Sequence, residues 1–405
     1  MYARLISVLF YMLFTCVVLN PQVGGFTIYL YIFVPFLDPD FSRFIAGTAR
    51  KWSTPLFVAL VASAIGSPSM AMRVASLAIC VGYLMYTYER RIAYLQPWIA
   101  FNVVFAIVQF TMYYVDRPLS YQLGPTAIAK MVWGPYATLT YTNFFEVFYF
   151  SRVSGLSREA GFFSSLLVSS FIIYLYTEKP SKKMIAIYFI GFFISFSKST
   201  AVLFIATLLY PFRHNLKRIH PLVVLVLFSA AMCIFSLYLA AHDFFESDTF
   251  GHRFSGYAFL FDAQIDDLIK GIDQHEIVRR YGNLQYIKLV RTDIETSGFA
   301  GLANNVAEMG LFPAIIVLVV IAISVNDGFS MLILLFLTST LALLSVTSFI
   351  SLAYLIAYWP RFSPYSRDRI AKSRAQSAAI TLDLWRSRPK HSARYLAATK
   401  QPQKR

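Results

Sequence analysis

The chain has little of what most soluble sites are built from. Its three cysteines, Cys16, Cys80 and Cys233, all lie inside apolar runs, where a thiol behaves as a small buried hydrophobe. Such placement gives neither a disulfide framework nor a cysteine zinc site. The six histidines are scattered, without an HExxH pair, so no metal site built from side chains and no cofactor is expected. Charge is scarce too. Only 14% of residues are charged, against about 25% in soluble domains.

What fills the chain is apolar: 57% of the 405 residues are hydrophobic. They arrive in blocks of 15–23, the length that crosses a hydrocarbon core. Runs such as LVVLVLF and IIVLVVIAIS do not alternate, which excludes a membrane β-barrel. The expected fold is an all-α polytopic membrane protein. The first block, MYARLISVLFYMLFTCVVLN, lacks a small-residue cleavage site and runs into further apolar sequence, so it reads as a first span rather than a signal peptide.

The pattern predicts spans near 5–20, 23–37, 52–66, 70–88, 93–115, 160–177, 184–197, 199–212, 221–240, 302–324, 329–346 and 348–360, about twelve in all. Orientation follows from Lys and Arg, which favour the cytoplasmic side. With both termini inside, the short inner segments carry 12 Lys/Arg. The basic tail, 361–405, adds 12 more against two acids. The domains expected are therefore a membrane domain, 1–360, and a cytoplasmic tail, 361–405. The tail accounts for +10 of the net +15 and is read as resting on anionic lipid. No recognition module accompanies it, so nucleic acid is not an expected partner.

Residues 184–212 hold one charge, Lys198, in 29 residues. A single helix would run ~43 Å, too long for a ~30 Å core. Basic clusters flank both ends, so a hairpin of two short helices is expected, with SKS at its outer vertex.

Two large segments then lie outside, about 116–159 and 241–301, and the unusual polar residues gather there. In RVSGLSREAGFF, Arg152, Arg158 and Glu159 sit against the start of a span. Arg158 alone reads equally well as an interfacial anchor. Glu159 stands where a helix dipole favours a carboxylate, so capping is its plainer role. Lys198, Arg253, Arg279, Arg280 and Arg291 share that side, and Asn304 and Glu308 fall four apart on one helical face. Cations from separate segments suit a polyanionic lipid head, because arginine grips phosphate oxygens in pairs. The aromatics Tyr121, Trp133, Tyr136, Tyr141, Phe144, Phe145, Phe148 and Tyr149 read first as an interfacial belt, and second as a sugar-stacking surface.

These stretches resemble motifs of the O-antigen polymerase and ligase superfamily, the Wzy-type enzymes of bacterial surface-polysaccharide assembly. RVSGLSREAGFF is similar to the family's Arg–Gly–acidic segment before a span, and SFSKST to its Ser–basic–Ser step. HRFSGYAFLFDAQIDDLIKGID resembles the Arg-to-Gly part of the large loop, and NNVAEMGLF the Asn-rich start of the next helix. Two positions depart. Ala160 stands where the family carries proline after the acid, and Ala303 and Asn304 stand where ligases carry histidine before asparagine, which favours a polymerase.

The resemblance implies a GT-C-like, metal-independent glycosyltransferase of the bacterial inner membrane, with its large periplasmic loop between spans 9 and 10. Donor and acceptor would be undecaprenyl-pyrophosphate-linked glycans, and its partners membrane lipids, a chain-length regulator and a flippase. It implies Arg152, Arg158, Lys198, Arg253, Arg279, Arg280 and Asn304 at the pyrophosphate, and Glu159 and Glu308 as candidates for the acceptor's base. The product would be O-antigen or exopolysaccharide. Two alternatives stay open: an O-antigen ligase, and a transporter or flippase of lipid-linked oligosaccharide. No internal repeat is visible, and repeats are what a transporter would be expected to carry.

Overall fold

The structure, a computed structural model, describes residues 2–339 apart from 24–25, 138–144, 148–149, 178–180, 198–207, 293–294 and 326. Most of the expected span 199–212, the end of 329–346, all of 348–360, Lys198 and the basic tail lie outside the described residues. The chain divides into two units, Met1–Ile356 and Ala357–Arg405, and only the first contains described residues.

Helices dominate, because the apolar runs contain few breakers and each helix satisfies its own backbone. In order they begin with α1 (Tyr2–Thr15), α2 (Pro39–Gly66), α3 (Pro68–Glu89) and α4 (Leu95–Val115). The short α5 (Arg117–Gln122) and α6 (Pro125–Trp133) come next, then α7 (Ala160–Thr177) and α8 (Lys182–Ser195). The second half holds α9 (Pro221–Ala241), α10 (Asp248–Asp262), α11 (Ile265–Lys270), α12 (Gln274–Tyr281) and α13 (Gln285–Val290). It closes with α14 (Gly301–Met309), α15 (Leu311–Ser324) and α16 (Gly328–Ser339). Three helices are long and apolar enough to cross a membrane: Met70–Glu89 within α3, α4 and α9.

The expected span at 23–37 is not a helix. Strands β1 (Gln22–Val23) and β2 (Phe26–Thr27) pair Gln22 with Thr27 and Val23 with Phe26, and the sequence between them is Gly24-Gly25. Two 3-10 turns follow, Leu30–Ile32 and Val34–Leu37. Proline at 21 and 35 and the two glycines forbid a continuous helix here, however apolar the composition. Asn20 fastens the turn, donating from Nδ2 to the Leu13 carbonyl (2.9 Å) and accepting from the Leu30 N–H (2.9 Å). Tyr31 then packs edge-on to Phe10 and Phe14, so the segment returns along α1.

Two other boundaries move. Helix α2 starts at Pro39, well before the apolar run, because Asp38 caps it through the Asp40 N–H (3.0 Å) and Pro39 suits a first turn. The expected span 302–324 is broken at Gly310, whose φ of +85° favours glycine. A Cβ there would also stand 2.5 Å from the Ile269 carbonyl oxygen. The 29-residue apolar stretch does break near its predicted vertex: α8 ends at Phe196, in the left-handed region at φ +39°.

Segment 241–301 is not an open loop. Its four helices close over a small core of their own, with Phe259, Ile277, Ile287, Val290 and Phe299 buried. The main core runs from α1 through α2, α3, α4, α7 and α8 to α9 and α14–α16, and within it Phe10, Phe14, Phe41 and Tyr83 interlock as ring pairs.

Candidate functional site

Helix α4 is apolar except for a few buried amides, and these place the first motif. Asn102 and Gln109, two turns apart on one face, both reach the 153–157 turn. Asn102 Oδ1 accepts from the Leu156 N–H (2.7 Å), and Gln109 Nε2 donates to the Gly155 carbonyl (3.0 Å) and to that of Leu123 (2.6 Å). Gly155 has φ +57°, and any Cβ there would run into Asn102 Oδ1. The glycine three residues after Arg152 is thus a steric requirement.

Strand β3 (Phe145–Val147) pairs antiparallel with β4 (Phe150–Arg152), setting Phe145 opposite Arg152. The chain then lies against the end of α8: the Val153 N–H donates to the Ile194 carbonyl (3.3 Å), and Arg152 Nε to that of Ser195 (3.2 Å). The first motif and the start of SFSKST, 43 residues apart in sequence, therefore meet.

Arg152 and Glu159 feel each other's charge. Burial pushes the half-buried Arg152 below its ordinary range, and Glu159 opposes that. Glu159 is an exposed residue, yet the protein atoms around its carboxyl still desolvate it enough to raise its pKa. Arg158 and then Arg152 pull the other way without prevailing. A carboxyl raised in this way sits closer to a working base. Its main chain also begins α7, with the Phe163 N–H donating to the Glu159 carbonyl (3.0 Å).

A second cluster forms where α14 ends. Asn304 and Glu308 do share a face, and Asn304 Nδ2 donates to Glu308 Oε1 (3.1 Å). Gln274, the first residue of α12, donates from Nε2 to Glu308 Oε1 (2.6 Å) and to Asn304 Oδ1 (3.0 Å). Arg73 of α3 brings Nη1 to 3.8 Å from Glu308 Oε2. Neither Gln274 nor Arg73 was singled out from the sequence. Arg73 carried a signal, as the only charge between residues 53 and 88. Gln274 carried none.

The remaining cations behave differently. Arg253, on α10, is half-buried and its pKa is lowered by burial, while no hydrogen bond or ion pair engages it among the described residues. Its helix packs on α14 three positions further along, where a Cβ on Gly256 would stand 3.1 Å from Ala303 Cβ. Arg279 is bound to Glu276 (2.6 Å), and Arg280 to Asp267 (2.6 Å) and Glu276 (3.3 Å), all within 241–301. Among the described residues no contact joins Arg253 to Arg152. Of the aromatics, Trp133 donates to the Leu19 carbonyl (3.0 Å), and Tyr121 and Tyr136 are exposed.

No protein-family model, curated protein or solved structure matches this chain. The fold itself defines the class: a mainly helical chain with helices able to span a bilayer.

Proposed function

We propose that the chain is a polytopic inner-membrane protein with a GT-C-like arrangement. It polymerises undecaprenyl-pyrophosphate-linked repeat units on the periplasmic face. The observation that carries this reading is the meeting of Arg152, Glu159 and the Ser195 end of α8, which sets a half-buried cation beside a desolvated carboxyl. The expected orientation also puts Arg152, Arg253, Arg73 and Glu308 on one side, by the distribution of Lys and Arg.

In the reaction an acceptor hydroxyl attacks the anomeric carbon of the donor. A C–O bond forms to the acceptor as the C–O bond to pyrophosphate breaks. The hydroxyl proton passes to Glu159, and the undecaprenyl pyrophosphate leaves with its charge. Arg152 and Arg253 face that growing charge and lower the barrier by being in place beforehand. Arg253 suits this role because no protein carboxylate neutralises it among the described residues. Glu308 is the poorer base, because Gln274 and Asn304 already occupy its Oε1 and its Oε2 faces Arg73. Arg279 and Arg280, already engaged by acids, support the fold of 241–301 rather than the pyrophosphate.

The test supplies wild-type and Arg253→Ala membranes with an undecaprenyl-pyrophosphate-linked repeat unit and separates products by size. A ladder from the wild type, lost in the variant at equal expression, supports a polymerase dependent on Arg253. No ladder from the wild type, given its native repeat unit, refutes the reading.

A further inference from the structure

Arg73 has no role in the reaction as drawn above, and it is expensive to keep. It is the one charge on an otherwise apolar stretch of α3, and a charge in such a helix persists where it has work to do. The simplest work is anchoring, with the stem lying along the helix and the head reaching the surface. Its surroundings are more organised than anchoring needs.

The carboxylate facing it is held from several sides. Gln274 and Asn304 both donate to Glu308 Oε1, which leaves Oε2 directed at Arg73. The main chain around Glu308 is pinned too. The Ile272 N–H donates to the Ala307 carbonyl (2.8 Å), and the α2–α3 turn abuts Met309 through Gly66. Glu308 is thus a fixed post. At 3.8 Å the Arg73 contact is too long for a hydrogen bond, so it orients the guanidinium without using up its N–H groups. The only other polar neighbour among the described residues is Met70 Sδ at 3.9 Å, and the side chain is 45% exposed.

We propose that Arg73 is a binding residue for a lipid-linked pyrophosphate, with Glu308 and Gln274 as its positioning residues. One edge of the guanidinium faces Glu308, and the other pairs with phosphate oxygens at the side of α3. This rests on the reading above that the protein handles such a lipid. It enlarges the site to include the α2–α3 turn and residue 274 of the large loop.

The experiment reconstitutes the full chain in nanodiscs containing phosphatidylethanolamine, phosphatidylglycerol and undecaprenyl pyrophosphate, and counts retained lipids by native mass spectrometry. Wild type should retain undecaprenyl pyrophosphate, and Arg73→Ala should weaken that by about tenfold or more, the value of a charged hydrogen-bond pair. Arg73→Lys should also weaken it, because an ammonium has no fork, whereas an anchoring residue would tolerate lysine fully. Glu308→Gln should fall between wild type and Arg73→Ala, with thermal unfolding confirming that each variant folds. Arg43→Ala, at an exposed ion pair with Asp40, should change nothing.

If Arg73→Ala retains the lipid while Arg253→Ala loses it, the proposal is wrong and the wider reading stands. If phosphatidylglycerol and undecaprenyl pyrophosphate are lost equally, Arg73 is a general lipid anchor and the proposal falls. If the wild type retains no undecaprenyl pyrophosphate, both fall together.

Discussion

Arg152 donates from Nε to the main-chain oxygen of Ser195 at 3.2 Å, tying the turn before α7 to the end of α8. This bond fixes the guanidinium against the end of α8, close enough to Glu159 for the two charges to interact. Arg152→Ala should therefore cut polymer formation by about 100-fold or more, the usual cost of losing a preorganised donor at developing charge. Arg152→Lys should recover little, since lysine has no Nε–H donor beside a planar fork. Initial rates from a defined acceptor would measure both.

Gly155→Ala should destabilise the protein by about 2 kcal/mol or more, from a positive φ and a collision with Asn102. Asn102→Ala should cost about 1–3 kcal/mol by leaving the buried Leu156 N–H unpaired. Thermal unfolding of the detergent-solubilised protein gives both values. The two residues touch, so the double variant should cost less than the sum.

Glu159 binds its proton more tightly when folded than when unfolded, because burial raises its pKa. Its stabilising contribution is therefore full below the ordinary glutamate pKa and is lost as pH rises through the higher folded value. Unfolding followed from pH 4 to 8 should show this fall in the wild type, and Glu159→Gln should flatten it. Activity should move the opposite way, rising with pH as the carboxyl ionises, and Glu159→Gln should be inactive throughout. A wild-type stability that climbs across the same window would show that the two arginines, not burial, dominate.

Arg279→Ala should leave product length and rate unchanged within about twofold, since its side chain is exposed and its ion-pair partner lies one turn away on the same helix. A large loss would return Arg279 to the pyrophosphate site.

The placement of 241–301 is open to labelling. Ile265 is 74% exposed, so Ile265→Cys should react with a membrane-impermeant maleimide added to spheroplasts. Cys16 and Cys80 are buried, so removing Cys233 leaves a quiet background. Labelling only after lysis would place this segment in the cytoplasm and overturn the topology.

Much of the architecture was legible because it rests on local rules. The apolar blocks at 70–88, 93–115 and 221–240 became helices almost to the residue, and the flanking charges drew the break near 196. The block at 23–37 misled because composition was weighed above punctuation, although Gly24-Gly25 between short apolar runs is a hairpin signal. The meeting of Arg152 and Ser195 was suggested only as a shared side, since no sequence rule gives contacts 43 residues apart. Gln274 was invisible for the same reason. It is an ordinary polar residue in sequence, and only the packing of α12 on α14 brings its amide to Glu308.

The return of residues 28–37 along α1 bears on how the chain enters a bilayer. A run of 3-10 turns leaves backbone groups that an α-helix would satisfy, and lipid offers them no partners. This stretch cannot be handed from the translocon to lipid as an independent helix. It must wait until α1 and α3 flank it, with Tyr31 between Phe10 and Phe14 and the Asn20 bonds already made. In the proposed membrane protein, the first ninety residues are then expected to insert in one concerted step, set by an apolar segment that does not form a helix.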